Sequence, residues 1–184
     1  MGAAQEAWLG QGLANGARWN LLAQQVRVMP FVRPGMSGVE AIGTTDQWSG
    51  YPAARARLVK TITDRRLTNV VIATGDAHVH NVGVVPVRDA ALDGPAAAVE
   101  FLATSITSGS DGSPNLPAGP NVMDGRNPHL ALHSNQRGYQ TFDITPAEWR
   151  TDVKVLDKVT SPGGRLSTLA RFVVTPDKAA VHKV

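Results

Sequence analysis

Val70, Val71 and Ile72 follow Asn69 without a polar interruption, and Ala73 and Thr74 close the run. A strand with one wet face shows a polar residue at every second position, because successive side chains point to opposite faces. This run does not, so both of its faces are predicted to be buried, as in the interior of an α/β sheet. A helix signal stands just before it. Pro52 suits a first helical turn, where its missing N–H would have no intrahelical partner. Ala54, Leu58 and Ile62 recur at i, i+4 and i+8 and make one apolar stripe. A helix feeding an interior strand is the unit from which α/β domains are built.

The rest of the chain is read against that unit. Residues 3–14 form a short helix signal around Trp8, Leu9 and Leu13, stopped by Asn15-Gly16, and Arg18–Val28 reads as a strand. Met29–Gly50, with its prolines and glycines, reads as a loop. Val82–Val87 and Ala97–Thr104 read as strands. Ser105–Asn127 is a long loop rich in Ser, Gly, Pro and Asn, a length that is usually functional or disordered. Strands are then predicted at Tyr139–Ile144, Trp149–Val159 and Ser167–Thr175. In the middle one Trp149, Thr151, Val153, Val155 and Val159 share a face, with Arg150, Asp152, Lys154 and Lys158 opposite. The tail is therefore an antiparallel meander added to the α/β half, and His182 near its end is expected to be disordered.

With 184 residues and 42% hydrophobic content, the chain is long enough to bury one core. No apolar stretch approaches a membrane span, and Met1–Gly10 has neither the basic start nor the apolar centre of a secretion signal. The formal charge is only +3. The basic residues Arg55, Arg57, Lys60, Arg65 and Arg66 fall on the predicted helix and read as a solvated face, so no nucleic-acid partner is indicated. The absence of cysteine excludes disulfides, thiolate zinc sites and cysteine nucleophiles within this chain.

Chemistry concentrates in Thr74-Gly75-Asp76-Ala77-His78-Val79-His80, directly beyond the interior strand. Ligands of open α/β sheets gather at the carboxyl ends of strands. If the extended backbone continues briefly, Asp76, His78 and His80 project to one side. A carboxylate with an imidazole two residues away is a partial metal site for ions such as Zn, Fe or Mn. The same Gly-Asp-x-His also occurs in ordinary turns, with Asp capping an N–H and His in solvent. Two ligands do not hold a dinuclear catalytic centre. Glu100, Asp111 and Asp46 are read as turn-capping or solvated carboxylates. His129 and His133 would share a helix face, but Asn127-Pro128 and nearby glycines argue for strand or loop. There is no Gly-x-Ser-x-Gly elbow, P-loop or paired dinucleotide glycines, which leaves metal-assisted hydrolysis or no catalysis. The residues alone single out no catalytic or substrate-binding side chain.

Four blocks carry a family resemblance. Asp46-Gln47-Trp48-Ser49-Gly50-Tyr51-Pro52-Ala53-Ala54-Arg55 resembles the D-x-W-x-G-Y-P-x-x-R entry to a helix in PhoD-like alkaline phosphatases. Thr74-Gly75-Asp76-Ala77-His78 is similar to their T-G-D-x-H segment, and Glu100-Phe101 with Thr104–Gly109 to their E-F-x-x-T-S-I-T-S-G block. Asn127-Pro128-His129, then Arg137-Gly138-Tyr139, Thr145-Pro146 and Trp149, resemble their carboxy-terminal N-P-H and R-G-Y elements. The blocks occur in the family's order over nearly the whole chain.

The resemblance implies part of a calcineurin-like metallophosphoesterase sandwich, an α/β fold with a βα unit and carboxy-terminal antiparallel strands. Residues 1–184 would be the carboxy-terminal part of one such domain. It implies hydrolysis of phosphomonoesters and phosphodiesters at a multi-metal centre of iron with calcium, in a family that is secreted or periplasmic. Asp76 and His78 match the late metal-binding segment and are carried over as ligands. His80 has no fixed counterpart and is left as a second-shell group or a solvent-facing residue. Ser49 stands in place of the family's usual acidic residue. The early aspartates, the D-D-H-type segment and the metal-binding asparagine have no counterpart here. The alternative is a non-catalytic half that packs against an upstream partner, with the edge and faces of the Val70–Ile72 strand exposed in its absence. A generic β-rich binding module ranks last.

Overall fold

In the computed structural model the chain forms three layers: helices, a five-stranded mixed sheet and a four-stranded antiparallel sheet. Residues 1–13, 16–35, 44–116, 118 and 121–184 are described. Parts of three expected segments lie outside them: residues 14 and 15 at the first helix stop, 36–43 of the Met29–Gly50 loop, and 117, 119 and 120 of the long loop.

The elements are α1 (Ala3–Gly12), β1 (Asn20–Ala23), α2 (Pro52–Asp64), β2 (Val70–Thr74), β3 (His80–Pro86), β4 (Ala96–Leu102), β5 (Leu130–Ser134), β6 (Gly138–Ile144), β7 (Trp149–Leu156), β8 (Leu166–Val174) and β9 (His182–Lys183). A 3-10 turn at Trp48–Gly50 precedes α2. The first sheet is ordered β1-β2-β4-β3-β5, and the second β6-β7-β8-β9. β1, β2 and β4 are parallel neighbours, and β3 runs antiparallel to both β4 and β5.

α2 begins at Pro52 and buries Arg55, Leu58, Val59 and Ile62. The expected stripe is present, but Arg55 is inside rather than on the solvated face: it is 3% exposed. The helix stops where Arg66 turns left-handed, at φ 54. There Leu67 N–H donates to the Ile62 carbonyl and Arg66 N–H to that of Thr63, a Schellman closure that satisfies two terminal carbonyls.

β2 is interior, as its composition predicts. Val70 and Ile72 enter a core shared with α2, while Val71 enters the core between the sheets. The expectation that this strand would be left exposed is corrected: β1 covers one edge, β4 the other, and Val70, Val71 and Ile72 are each at most 1% exposed. The edge strands of this sheet are β1 and β5, and among the described residues the outer side of β1 is unpaired. Asn20 and Gln24 donate backwards to the Asn69 and Ala73 carbonyls, so by alternation the N–H groups of Leu21 and Ala23 face away from the sheet.

β7 buries Trp149, Thr151, Val153 and Val155 on one face, and Val159 lies beyond its end. Trp149 packs edge-on to Trp19 at 5.9 Å and against Phe142 at 5.1 Å. Full burial of the Trp149 side chain stabilises by about 2–3 kcal/mol. The carboxy terminus is not disordered: His182 and Lys183 pair with Val173 and Phe172 as β9.

Candidate metal-binding turn and the strap beside it

Two loops leave the carboxyl ends of the parallel neighbours β1 and β2, the place where an α/β sheet presents its chemistry. Gly75 N–H donates to the Gln25 carbonyl at 3.1 Å and joins their bases. Beyond that point they differ.

The loop after β1 carries a strap, residues 27–32, held by side chains from every direction. Glu100, in β4 and 0% exposed, receives Val28 N–H at 2.9 Å, Met29 N–H at 2.6 Å and the Thr74 hydroxyl at 2.7 Å. Burial raises the Glu100 pKa, while those three donors and the Arg27 charge pull it back. Arg55 donates to the Val28 carbonyl at 3.4 Å and pairs with Asp89. Arg27 reaches Gln47 Oε1 at 3.1 Å and lies 3.9 Å over the Phe31 ring. Burial brings both guanidinium groups down to about 10, against which Glu100 pulls upward.

His129 Nε2 lies 2.7 Å from the Pro30 carbonyl. That acceptor requires the proton on Nε2. Asn127 receives Val32 N–H at 2.8 Å and returns a bond to the Val32 carbonyl at 3.0 Å. Asn81, oriented to satisfy all its neighbours, donates to His133 Nδ1 at 2.7 Å and receives Arg27 Nη1 at 3.3 Å. His129 and His133 thus serve different partners in and beside β5. Glu100 is a cap on loop N–H groups rather than a solvated carboxylate.

The loop after β2 is a tight turn. Ala77 N–H closes onto the Gly75 carbonyl at 2.9 Å, with Asp76 at the apex at φ 71. A three-residue turn of this hand is rare and strained. His78 is also left-handed, at φ 54. The extended continuation expected from sequence is therefore replaced by two consecutive reversals, and Asp76, His78 and His80 do not share one face of a strand. Asp76 and His78 are exposed. Among the described residues their side chains have no hydrogen-bond or ion-pair partner; Asp76 feels the Arg27 charge at longer range. Residues in such conformations persist only where surrounding structure holds them, and they cluster at functional sites.

His80 does not face solvent. It begins β3 at 0% exposure, and its Nδ1 faces Thr104 N–H at 3.4 Å and Gln140 Nε2 at 3.3 Å. Burial pushes its pKa down to about 4, so the ring is neutral. Its ring is met by Thr104 N–H, Gln140 and the Lys154 backbone, none of which belongs to the turn. Asp111 caps the β7–β8 connection, accepting Val159 N–H at 2.6 Å, Thr160 N–H at 2.8 Å and the Thr160 hydroxyl at 2.8 Å. Asp46 is exposed, and its N–H binds the Thr44 hydroxyl at 3.3 Å.

Arg137 is the residue that sequence reasoning passed over. It is 4% exposed. One guanidinium nitrogen reaches Ser105 Oγ at 2.9 Å and the Ser108 carbonyl at 2.6 Å; the other reaches the His78 carbonyl at 2.8 Å and that of Asn135. Its position in the Arg-Gly-Tyr block was the available signal. Gly138 follows at the start of β6, where a side chain would collide with the Lys154 carbonyl.

The donor chemistry of the turn, one carboxylate and one imidazole, suits a transition metal such as iron. Among the described residues no group of three or more Asp, Glu or His converges to hold an ion. As candidate ligands, Asp76 and His78 would form one limb of a metal site, and two protein donors fall short of a catalytic centre. No helix among the described residues is long and apolar enough to cross a membrane.

Comparison with known proteins supports the family resemblance. A family model described as PhoD-like phosphatase matches residues 1–153. Alkaline phosphatase D of Bacillus subtilis (strain 168) is 36% identical over 187 residues, spanning 100% of this chain and 31% of that protein. A solved structure of PhoD superposes with a TM-score of 0.85 at 34% identity, covering 100% of this chain and 35% of that one. The chain therefore spans about a third of the length of the relatives it matches.

Proposed function

Because the chain belongs to the PhoD-like phosphatase family, we propose that residues 1–184 act as the carboxy-terminal part of a single metallophosphoesterase domain that hydrolyses phosphate esters. Asp76 and His78 would be its contribution to the metal centre. The carrying observation is the turn itself: a carboxylate and an imidazole exposed beyond an interior strand, in a backbone conformation that has a cost, with neither side chain in a hydrogen bond or ion pair among the described residues.

Iron and calcium are the proposed metals. The imidazole favours iron, while a carboxylate serves either ion. When bound, such metals would supply positive charge to the phosphoryl oxygens and an activated water. The chain's own share is narrower: it presents two donors and keeps the turn that carries them in place. The remaining ligands would come from a polypeptide equivalent to the two-thirds of the relatives that this chain does not cover.

A second reading, a non-catalytic half that exists to bind such a partner, is favoured by the open β1 edge. A cleft of about 640 Å³ lies beside it, with Trp8, Leu21, Leu22 and Trp48 in its walls beside the polar Gln24 and Asp46. Open edges and apolar surface of this kind drive association.

One assay separates the readings. The purified chain is given iron and calcium with p-nitrophenyl phosphate, alone and then with the Bacillus relative from which the matching third has been deleted. Activity only in the mixture, lost in Asp76→Asn and His78→Ala, supports the ligand assignment. Activity restored equally by those variants assigns the chain to partner binding alone. Full activity of the chain by itself would overturn the one-limb reading.

A further inference from the structure

We infer that Arg137 is the positioning residue of the Asp76–His78 turn, the group that converts a strained loop into a fixed pair of donors. The inference rests on the metal-site reading above. It goes beyond that reading by naming a residue which contributes no donor itself.

Four features of Arg137 carry it. First, the guanidinium binds three separate segments at once: the His78 carbonyl in the turn, Ser105 and Ser108 in the hydroxyl-rich loop after β4, and Asn135 before β6. A planar, permanently charged fork is the side chain suited to that task, and a lysine ammonium is not. Second, among the described residues it has no carboxylate partner. Its charge is met by carbonyl dipoles, so the carbonyls are held there by the cation and would diverge without it. Third, the bond to the turn is made to the carbonyl of His78, a residue at φ 54. Fixing that carbonyl fixes the peptide plane after His78 and so, with its φ, the direction in which the Cα–Cβ bond leaves the turn. Fourth, the neighbouring chain is shaped to admit the group: Gly109 sits at φ 94, where a Cβ would lie 3.0 Å from Arg137 Nη1.

Asp76 and His78 themselves have no side-chain tether among the described residues, so the backbone is the only handle by which the fold can aim them. Arg137 provides the one side-chain bond to that backbone from outside the turn among the described residues.

The test uses the full chain and Mn²⁺ as probe, with paramagnetic broadening of the Asp76 and His78 resonances as the binding readout. Amide exchange at residues 76–79 is followed in parallel. Arg137→Lys and Arg137→Gln are compared with Asp111→Asn, which loosens the hydroxyl-rich loop at Val159 and Thr160 without touching the turn. The expected result is at least a tenfold weaker Mn²⁺ response and at least tenfold faster exchange at 76–79 in both Arg137 variants, with β7 and β8 exchange unchanged. Asp111→Asn should alter neither. Lysine should restore thermal stability more than it restores Mn²⁺ binding, which a purely structural role would not produce. Exchange at 76–79 within twofold of wild type in both Arg137 variants overturns the inference. So does a loss matched by Asp111→Asn. If wild type shows no Mn²⁺ response at Asp76 or His78, the metal reading fails, and the exchange measurement still decides whether Arg137 fixes the turn.

Discussion

The strap at residues 27–32 and the turn at 75–79 leave adjacent strands at the same end of the same sheet, and they are held by opposite means. The strap is gripped by the side chains of Gln47, Glu100, Asn127 and His129, with Arg55 on one of its carbonyls. All five come from the blocks that carry the family resemblance. The turn presents two family residues, Asp76 and His78, that grip nothing in the described chain, and it is fixed through its backbone. The difference teaches what a motif residue is for. Where its polar atoms are buried and saturated, it builds a loop; where they are exposed on a strained backbone, it is available to a ligand.

The largest test of that contrast is Glu100→Ala. It strands two backbone N–H groups and the Thr74 hydroxyl, and leaves Arg27 and Arg55 without their buried counter-charge. Removing one partner of a buried charge network costs about 3–5 kcal/mol. Urea unfolding should show that loss, with Glu100→Gln intermediate. A loss below about 1 kcal/mol would mean the strap is not held as described.

Acid comes next. His80 and His133 are each held down to about 4 by burial, from an ordinary 6.5. The unfolded chain takes up these protons near 6.5 and the folded chain does not. Their contribution is therefore complete above about 6.5 and falls as pH drops toward 4, by about 2–3 kcal/mol for His80. Glu100 acts in the other sense: its raised pKa makes its contribution largest at low pH and smaller as pH rises through that value. The clean readout is a difference. His80→Gln should flatten the stability curve between pH 6.5 and 4 relative to wild type, and an unchanged slope would show that His80 titrates freely.

The β1 edge offers a third test. Proline at Ala23 removes an N–H that faces outward and spares the bonds to β2. Ala23→Pro should keep stability within about 1 kcal/mol, yet weaken activity recovery with the truncated relative about tenfold, or about 1.4 kcal/mol. Equal recovery would place the partner elsewhere.

The smallest expected effect lies at the turn. His78→Gly relieves a left-handed residue, so stability should hold or rise by up to about 1 kcal/mol while Mn²⁺ broadening at Asp76 weakens. A substantial loss of stability would make His78 a structural residue after all.

Much of the fold was legible in the residues. Strand β2, helix α2 and the face alternation of β7 follow from apolar periodicity, and the two strained donors stand where the Gly-Asp-x-His pattern placed them along the chain. The strap was not legible, because Arg27 through Val32 carries no periodicity and its holders lie 20 to 99 residues away. Arg55 was misplaced for a related reason: a helical arginine reads as solvated unless the acceptors waiting for it are known. The β9 pairing of His182 was missed because a two-residue strand has no pattern of its own.

The sequence by itself determined the main helix and most of the strands, that β2 is buried on both faces, and that a carboxylate and an imidazole follow it. Those are consequences of short-range chemistry, of apolar spacing and of the steric limits on proline and glycine. Only the tertiary structure decided that Asp76 and His78 are exposed while Glu100, Arg55 and His80 are enclosed, and that Arg137 joins the turn to loops remote in the chain. Burial and charge compensation depend on what the fold brings alongside a residue, and neighbours of that kind are written nowhere near it in the chain.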